Sequence, residues 1–207
     1  MIGLNLIYPI INRSVYVKPP GFRIKTKNDA GTTAVFNAVE NKNVLKTISF
    51  FMNSFDHSYE KTKKLDLYDV ILSKILVLFY KLHYSPKTDV VEEIRLNDKI
   101  LGCYAIRLPK NGDSAEINFL AVAPEIKDTK QSLRTLYDMG MRIVEHVLDS
   151  NKRFLQWEAD KDNCGAFQLY QRFPAKKKNF KRRVTYTINI ADFYYTLLIL
   201  SKSSDRI

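Results

Sequence analysis

The middle of the chain alternates apolar and polar residues with the two-residue period of β-strands. Residues 90–96, 100–108 and 115–122 are the strand-like runs of this region. Asn97-Asp98 separates the first two runs, and Asn111-Gly112-Asp113 separates the second from the third. Because these short polar segments are typical of hairpin turns, the pattern predicts a consecutive antiparallel meander of three strands.

Flanking segments have apolar residues spaced three and four apart, as helices do. This spacing predicts helices over 34–55 and 67–82 before the meander, a helix over 133–147 after it, and a short helix over 163–173. Residues 154–159 read as a further strand. A strand, helix and strand in succession favour parallel pairing of 115–122 with 154–159.

Both ends of the chain carry apolar segments. We expect residues 1–21 to form an N-terminal extension or edge strand and residues 22–207 to form the main domain, beginning with a strand over 22–27. The last strands are predicted at 184–190 and 194–200, after a basic loop. No apolar run approaches the ~20 residues that span a bilayer, so neither a membrane partner nor an export signal is predicted.

Composition narrows the class of protein. The chain has 207 residues, of which 45% are hydrophobic, which favours one globular domain over a disordered or coiled-coil protein. Two cysteines and three scattered histidines predict no metal site and no disulfide framework, so a reducing, cytoplasmic location is expected. A net charge of +11 favours an anionic partner, either a phosphate-bearing ligand or nucleic acid.

Three motifs resemble those of the GNAT superfamily of acyl-coenzyme A N-acyltransferases. Asn163 to Phe173 matches its N-x-x-A-x-x-L-Y segment, Glu116 to Pro124 is similar to its fourth strand, and Asp192 to Lys202 is similar to its closing strand. The resemblance covers residues 22–202. It implies an α/β fold with a mixed, mainly antiparallel sheet, helices on both faces, and a V-shaped opening where two parallel strands part.

The same resemblance implies acetyl-coenzyme A, or another acyl-coenzyme A, as co-substrate. The backbones of Leu120, Ala121 and Val122 would pair with pantetheine, and Asn163 would contact pantetheine or only cap its helix. The family's phosphate loop carries glycines, whereas the aligned stretch from Lys127 to Ser132 contains none. Phosphates would then meet the side chains of Lys127, Lys130 and Arg134 beside Gln131 and Ser132.

Two residues are candidates for catalysis by resemblance and position. In the family, a tyrosine at the position of Tyr170 returns a proton to the thiolate; packing within its helix is the alternative. Strand alternation places Glu116 on one face with Asn118 and Leu120, where it is a candidate base for the amine acceptor. Glu158 is the second candidate, and an ordinary surface carboxylate is the alternative for both.

A basic run lies between the short helix and the last strands. It contains Lys176, Lys177, Lys178, Lys181, Arg182 and Arg183 around an aromatic residue. Such a run can bind nucleic acid or an amine acceptor on an anionic macromolecule, or it can be a solvated loop. The sequence therefore leaves two functions open: an N-acetyltransferase, or a noncatalytic GNAT-like module that binds nucleic acid or an acidic protein.

Overall fold

A computed structural model describes residues 26–27, 33–39, 43–44, 46–47, 49–50, 84–97, 99–127 and 129–204. Its strands are β1 Thr26–Lys27, β2 Thr33–Ala38, β3 Asp89–Leu96, β4 Lys99–Arg107, β5 Ser114–Val122, β6 Phe154–Asp160, β7 Lys176–Asn179 and β8 Arg183–Asn189. Its helices are α1 Lys130–Asp149, α2 Cys164–Tyr170 and α3 Ile190–Ser204, and a 3-10 turn spans Pro124–Ile126.

The eight described strands form one sheet in the order β1-β2-β3-β4-β5-β6-β8-β7. The predicted meander is confirmed, because β3 pairs antiparallel with β4 and β4 pairs antiparallel with β5. The predicted parallel pair is also confirmed, since β5 runs parallel to β6. The remaining neighbours are antiparallel.

Helices cover both faces of this sheet, as expected. On one face, α1 and α3 pack over a core that includes Tyr104, Ile106, Leu155 and Tyr186. On the other face, Val44, in a helical segment, packs with strand residues, namely Val91, Cys103, Ala105 and Phe119. The fold is therefore α/β with a mixed, mainly antiparallel sheet.

The two covering helices α1 and α3 meet where a glycine leaves no space for a side chain. A Cβ added at Gly140 of α1 would lie 2.9 Å from Leu197 Cδ1 of α3. Leu197 is buried, so the leucine fills the space that a larger residue at 140 would need. This contact fixes how closely the two helices approach.

The prediction of a helix over 34–55 is wrong in its first part. Residues 33–38 form β2, which pairs with β3 from Val35 opposite Arg95 to Ala38 opposite Glu92. The β-branched and aromatic residues Thr33, Val35 and Phe36 suit a strand, and pairing with β3 supplies the tertiary context that decides between the two structures. Residues 44, 46–47 and 49–50 are helical. The helix predicted over 67–82 and residues 1–21 lie outside the described residues.

The prediction of a closing strand at 194–200 is also wrong, because this segment lies in α3. Ile190, Ala191, Phe193 and Leu197 are buried, and this spacing is that of a helical stripe. Asn189 Oδ1 accepts a hydrogen bond from the Ala191 N–H at 2.9 Å, which caps the first turn. The aromatic and branched composition of the segment favours a strand locally, but packing against α1 stabilises the helix.

The basic run predicted to be a loop is a hairpin. Its first half is β7, which pairs antiparallel with β8 from Lys176 opposite Thr187 to Asn179 opposite Val184. All four residues of β7 are exposed, and β7 is the last strand of the described sheet. Lysines suit an exposed edge strand because their charge discourages pairing with other chains.

Candidate active site

An opening divides the sheet between its two parallel strands. β5 pairs with β6 only from Ser114 opposite Phe154 to Ile117 opposite Trp157. Beyond that level β5 continues along β4 to Val122, while β6 continues along β8. The two strands thus keep their outer partners and part from each other, as the V-shaped opening of the resemblance requires.

Backbone groups of β5 face this opening at alternate residues. The Ala123 N–H donates to the Leu101 carbonyl at 2.8 Å, so these two residues form a hydrogen-bonded pair of the antiparallel ladder. Hydrogen-bonded pairs recur every second residue, and the next one is therefore Ala121 opposite Cys103. In an antiparallel ladder the intervening residues direct their N–H and C=O away from the partner strand. Leu120 and Val122 therefore direct theirs toward the opening, whereas Ala121 directs its own toward β4.

A β-bulge in β5 changes which side chains share a face. The register with β4 shifts between Ala105 and Ile106, so that Asn118 is the extra residue of β5. Before the bulge, Ile117 packs against the core under α1; after it, Leu120 packs against that same core. Glu116 therefore lies on the opposite face from Leu120, and the prediction that both share a face is wrong.

Glu116 lies in a row of paired residues that crosses the sheet on one face. Glu116 pairs with Gln156 of β6. Thr187 of β8 pairs with Gln156 on one side and with Lys176 of β7 on the other. Directly paired residues lie on the same face of a sheet. The candidate base therefore shares a face, on the side away from α1, with Lys176 of the hairpin, whereas Lys177 pairs with the buried Tyr186 and lies on the other face.

Tyr170 lies on the other face, at the end of α2. The predicted cap is confirmed, because Asn163 Oδ1 accepts a hydrogen bond from the Ala166 N–H at 3.2 Å. The Tyr170 ring lies 5.5 Å from that of Trp157 and 5.7 Å from that of Tyr186. Burial raises the pKa of Tyr170 to about 12, so the phenol keeps its proton at neutral pH.

Trp157 organises the aromatic cluster around Tyr170, and sequence analysis did not single it out. Its ring stacks on Tyr186 with centroids 5.3 Å apart and also contacts Phe173 and Phe193. Trp157 is buried, and its indole N–H has no hydrogen-bond partner among the described residues. It is also the last β6 residue that pairs with β5, which places it at the base of the opening.

The start of α1 follows the opening directly. Thr129 caps it, since its hydroxyl oxygen accepts a hydrogen bond from the Ser132 N–H at 3.2 Å. The buried Ser132 donates its hydroxyl proton back to the Thr129 carbonyl at 2.8 Å. Lys130 is exposed, while Lys127, Gln131 and Arg134 are partly buried. The side chains of Thr129 and Ser132 thus form hydrogen bonds with the backbone of this turn, in the segment where the loop of the resembling family has glycines.

Beneath α1 lies a buried ionic network that sequence analysis also missed. Glu92 of β3 accepts a hydrogen bond from Tyr104 Oη at 2.5 Å and two from Arg142, at 2.9 and 3.0 Å. His146 Nε2 lies 3.1 Å from the same carboxylate, and Arg142 also donates to Glu145 at 2.6 Å. Burial raises the pKa of Glu92, but these hydrogen bonds together lower it to about 2.

The remaining residues with reactive side chains are Glu158, the cysteines and the histidines. Glu158 is exposed, as predicted, and accepts a hydrogen bond from Thr185 at 3.2 Å. Cys103 is buried, and burial raises the pKa of its thiol. His57 and His83 lie outside the described residues. Among the described residues, no group of three His, Cys, Asp or Glu side chains could hold a metal ion, and no helix is long and apolar enough to cross a membrane.

No protein-family model and no curated protein matches the sequence. Solved structures do match. The PaiA N-acetyltransferase of Thermoplasma acidophilum, in complex with coenzyme A, is 12% identical with a TM-score of 0.61 over 75% of this chain and 98% of its own. A nucleotide-linked sugar GNAT, FdhC, is 12% identical with a TM-score of 0.56 over 86% and 97%.

A third similar structure is the spermidine N-acetyltransferase of Vibrio cholerae in complex with coenzyme A and spermine. It is 13% identical, with a TM-score of 0.53 over 77% of this chain and 97% of its own. All three similarities span nearly the whole length of the matched chains. The protein has the fold of the GNAT acetyltransferases.

Proposed function

We propose that this protein is an acyl-coenzyme A-dependent N-acyltransferase that transfers an acetyl group to a primary amine. The observation that carries the proposal is the opening between β5 and β6, where Leu120 and Val122 direct backbone N–H and C=O groups toward a space between two strands. An extended pantetheine arm carries amide groups, so it can pair with this edge as an added strand would.

The start of α1 would hold the phosphates by charge. Lys127, Lys130 and Arg134 lie in or beside its first turn, and cations there can replace a glycine-lined backbone cradle. Gln131 adds a polar side chain at the same end. Because the Ser132 N–H already donates to Thr129, fewer backbone donors are left for phosphate than in a glycine loop. Side chains would therefore contribute more of the phosphate-binding energy here than they do in a glycine loop.

Glu116 and Tyr170 would supply the proton transfers from opposite faces of the sheet. The amine loses a proton to Glu116, directly or through water, as its nitrogen attacks the thioester carbonyl carbon. The C–N bond forms, the C–S bond breaks, and the departing thiolate takes the phenolic proton of Tyr170. A phenol with a pKa of about 12 is fully protonated at neutral pH, as an acid in this step must be.

Similar structures support both halves of this reaction. Two of them hold coenzyme A, and one of those also holds spermine, a polyamine. Glu116 shares its face with Lys176, so an amine carried by an anionic macromolecule would be attracted to that face.

Melting curves and thiol release test the proposal together. A ligand present at 100 times its dissociation constant adds about 2.7 kcal/mol of native-state stability, so millimolar acetyl-coenzyme A should raise the Tm. With a panel of polyamines, Tyr170→Phe should lower kcat about 100-fold and leave the thermal shift unchanged. Tyr195→Phe, in α3, is the matched control and should retain activity. Lys130→Ala should instead reduce the thermal shift.

A noncatalytic module is the second candidate, favoured by one observation at the start of α1. The side chains of Thr129 and Ser132 close this turn on each other, as described above. The enzyme proposal is wrong, and the noncatalytic module takes its place, if acetyl-coenzyme A causes no thermal shift and if no amine acceptor leads to release of free coenzyme A.

A further inference from the structure

We propose that the hairpin of residues 176–183, the basic hairpin, binds single-stranded nucleic acid through its cations and the ring of Phe180. This inference goes beyond acyl transfer and does not depend on it. It rests on three observations: the charge of the hairpin, the exposure of one aromatic ring among its cations, and the face of the sheet that it extends.

The charge of the basic hairpin is of one sign. Six of its eight residues are lysine or arginine, none is acidic, and all are exposed. Three of the six contact neighbouring side chains: Lys177 donates to Gln171, Arg183 Nη1 lies 3.4 Å from Glu158 Oε2, and Lys178 lies over the ring of Phe180. The others, Lys176, Lys181 and Arg182, lie on the edge strand and in the turn. Cations in such a row match the repeating charge of a phosphate backbone.

Phe180 is held outward by the turn itself. Its side chain is 48% exposed, although its backbone is fixed: its N–H donates to the Arg183 carbonyl at 2.8 Å, and Lys161 Nζ donates to its carbonyl at 2.9 Å. Lys178 Nζ lies 5.3 Å from the centre of the ring. Protection of a sheet edge explains lysines but gives no reason for an exposed phenylalanine. A ring among cations is what stacks an unpaired base.

The basic hairpin extends a polar face that leads toward the opening. Lys178 pairs with Thr185, and Thr185 pairs with Glu158, in the row next to the one from Lys176 to Glu116. Glu116 and Glu158 both lie on this face and would repel a phosphate, so the two carboxylates confine the nucleic acid to the lysine-bearing edge. An acidic peptide would use the cations but not the ring, and this difference decides for nucleic acid.

Fluorescence anisotropy with a labelled 20-nucleotide oligothymidine and the full-length protein tests the inference. We expect binding whose affinity falls steeply with salt. The triple variant Lys178→Ala, Lys181→Ala, Arg182→Ala should reduce the slope of log K against log salt by about 2, at ~0.7 per phosphate contact. The matched control Lys87→Ala, Lys99→Ala, Lys110→Ala removes the same charge from exposed positions outside the hairpin and should leave the slope unchanged.

Phe180→Ala separates nucleic acid from other polyanions. It should weaken oligothymidine binding about fivefold or more without changing the salt slope, because stacking involves no counterion release. Its binding to polyglutamate should stay as in the parent protein. The inference would be overturned if both triple variants reduced the salt slope equally, or if Phe180→Ala did not weaken oligothymidine binding. If Phe180→Ala had no effect and the protein bound polyglutamate, the partner would be an acidic protein instead. Neither result bears on acetyl-coenzyme A binding.

Discussion

Glu92→Gln tests whether the buried ionic network beneath α1 stabilises the fold. Glu92 is 4% exposed, and its carboxylate receives hydrogen bonds from Tyr104 and Arg142, with His146 beside it. Glutamine keeps the shape of the side chain but removes the charge. The difference between the ordinary pKa of 4.5 and the pKa of about 2 in the folded state corresponds to about 3 kcal/mol of unfolding free energy at neutral pH.

The stabilising effect of Glu92 should decrease as the pH falls. Because the pKa of Glu92 is lower in the folded state, its contribution is fully present above pH 4.5 and is lost as pH falls toward 2. Urea unfolding should therefore show the parent about 3 kcal/mol more stable than Glu92→Gln at pH 7 and only about 1.4 kcal/mol more stable at pH 3. A difference that stays constant with pH, or no difference at pH 7, would refute the reasoning.

Two further predictions concern stability. Gly102→Ala should cost about 1–3 kcal/mol, because the added Cβ would lie 2.8 Å from the Ala121 carbonyl oxygen, whereas the control Gly165→Ala meets nothing within 4 Å and should be neutral or slightly stabilising in urea unfolding. Asn163→Ala should cost about 1 kcal/mol through the lost cap of α2, and Asn163→Asp should recover most of it; equal stability of all three would contradict the capping role.

Local periodicity predicted the centre of the fold correctly and its ends poorly. Short polar segments separate the apolar strands β3, β4 and β5, and this leaves a clear pattern even though β4 is buried on both faces. The segments that became β2 and α3 lack such a pattern. Their structure depends on partners far away in sequence, β3 for the first and α1 for the second, and no local rule contains that information.

The site was predictable at the level of its motifs but not of its geometry. The segment ending at Tyr170 and its cap at Asn163 follow from adjacent residues. The bulge at Asn118 does not, because it arises from the register between two strands. A single inserted residue reverses the face of every later side chain, which is why alternation placed Glu116 and Leu120 together wrongly. Trp157 could have been found as the one tryptophan on the strand before Tyr170.

The contact between Gly140 and Leu197 has a mechanical consequence for the sheet. Only four residue pairs join β5 to β6, so the sheet consists of two half-sheets with a weak seam. The helix α1 rests on the half that contains β4 and β5, while α3 rests on the half that contains β6 and β8. Because α1 and α3 also contact each other, they connect the two half-sheets across the seam. The close approach of the helices at Gly140 therefore influences the distance between the half-sheets. A bulkier residue at position 140 would require Leu197 to shift or the two helices to separate, and separation would change the width of the opening without altering any residue that lines it.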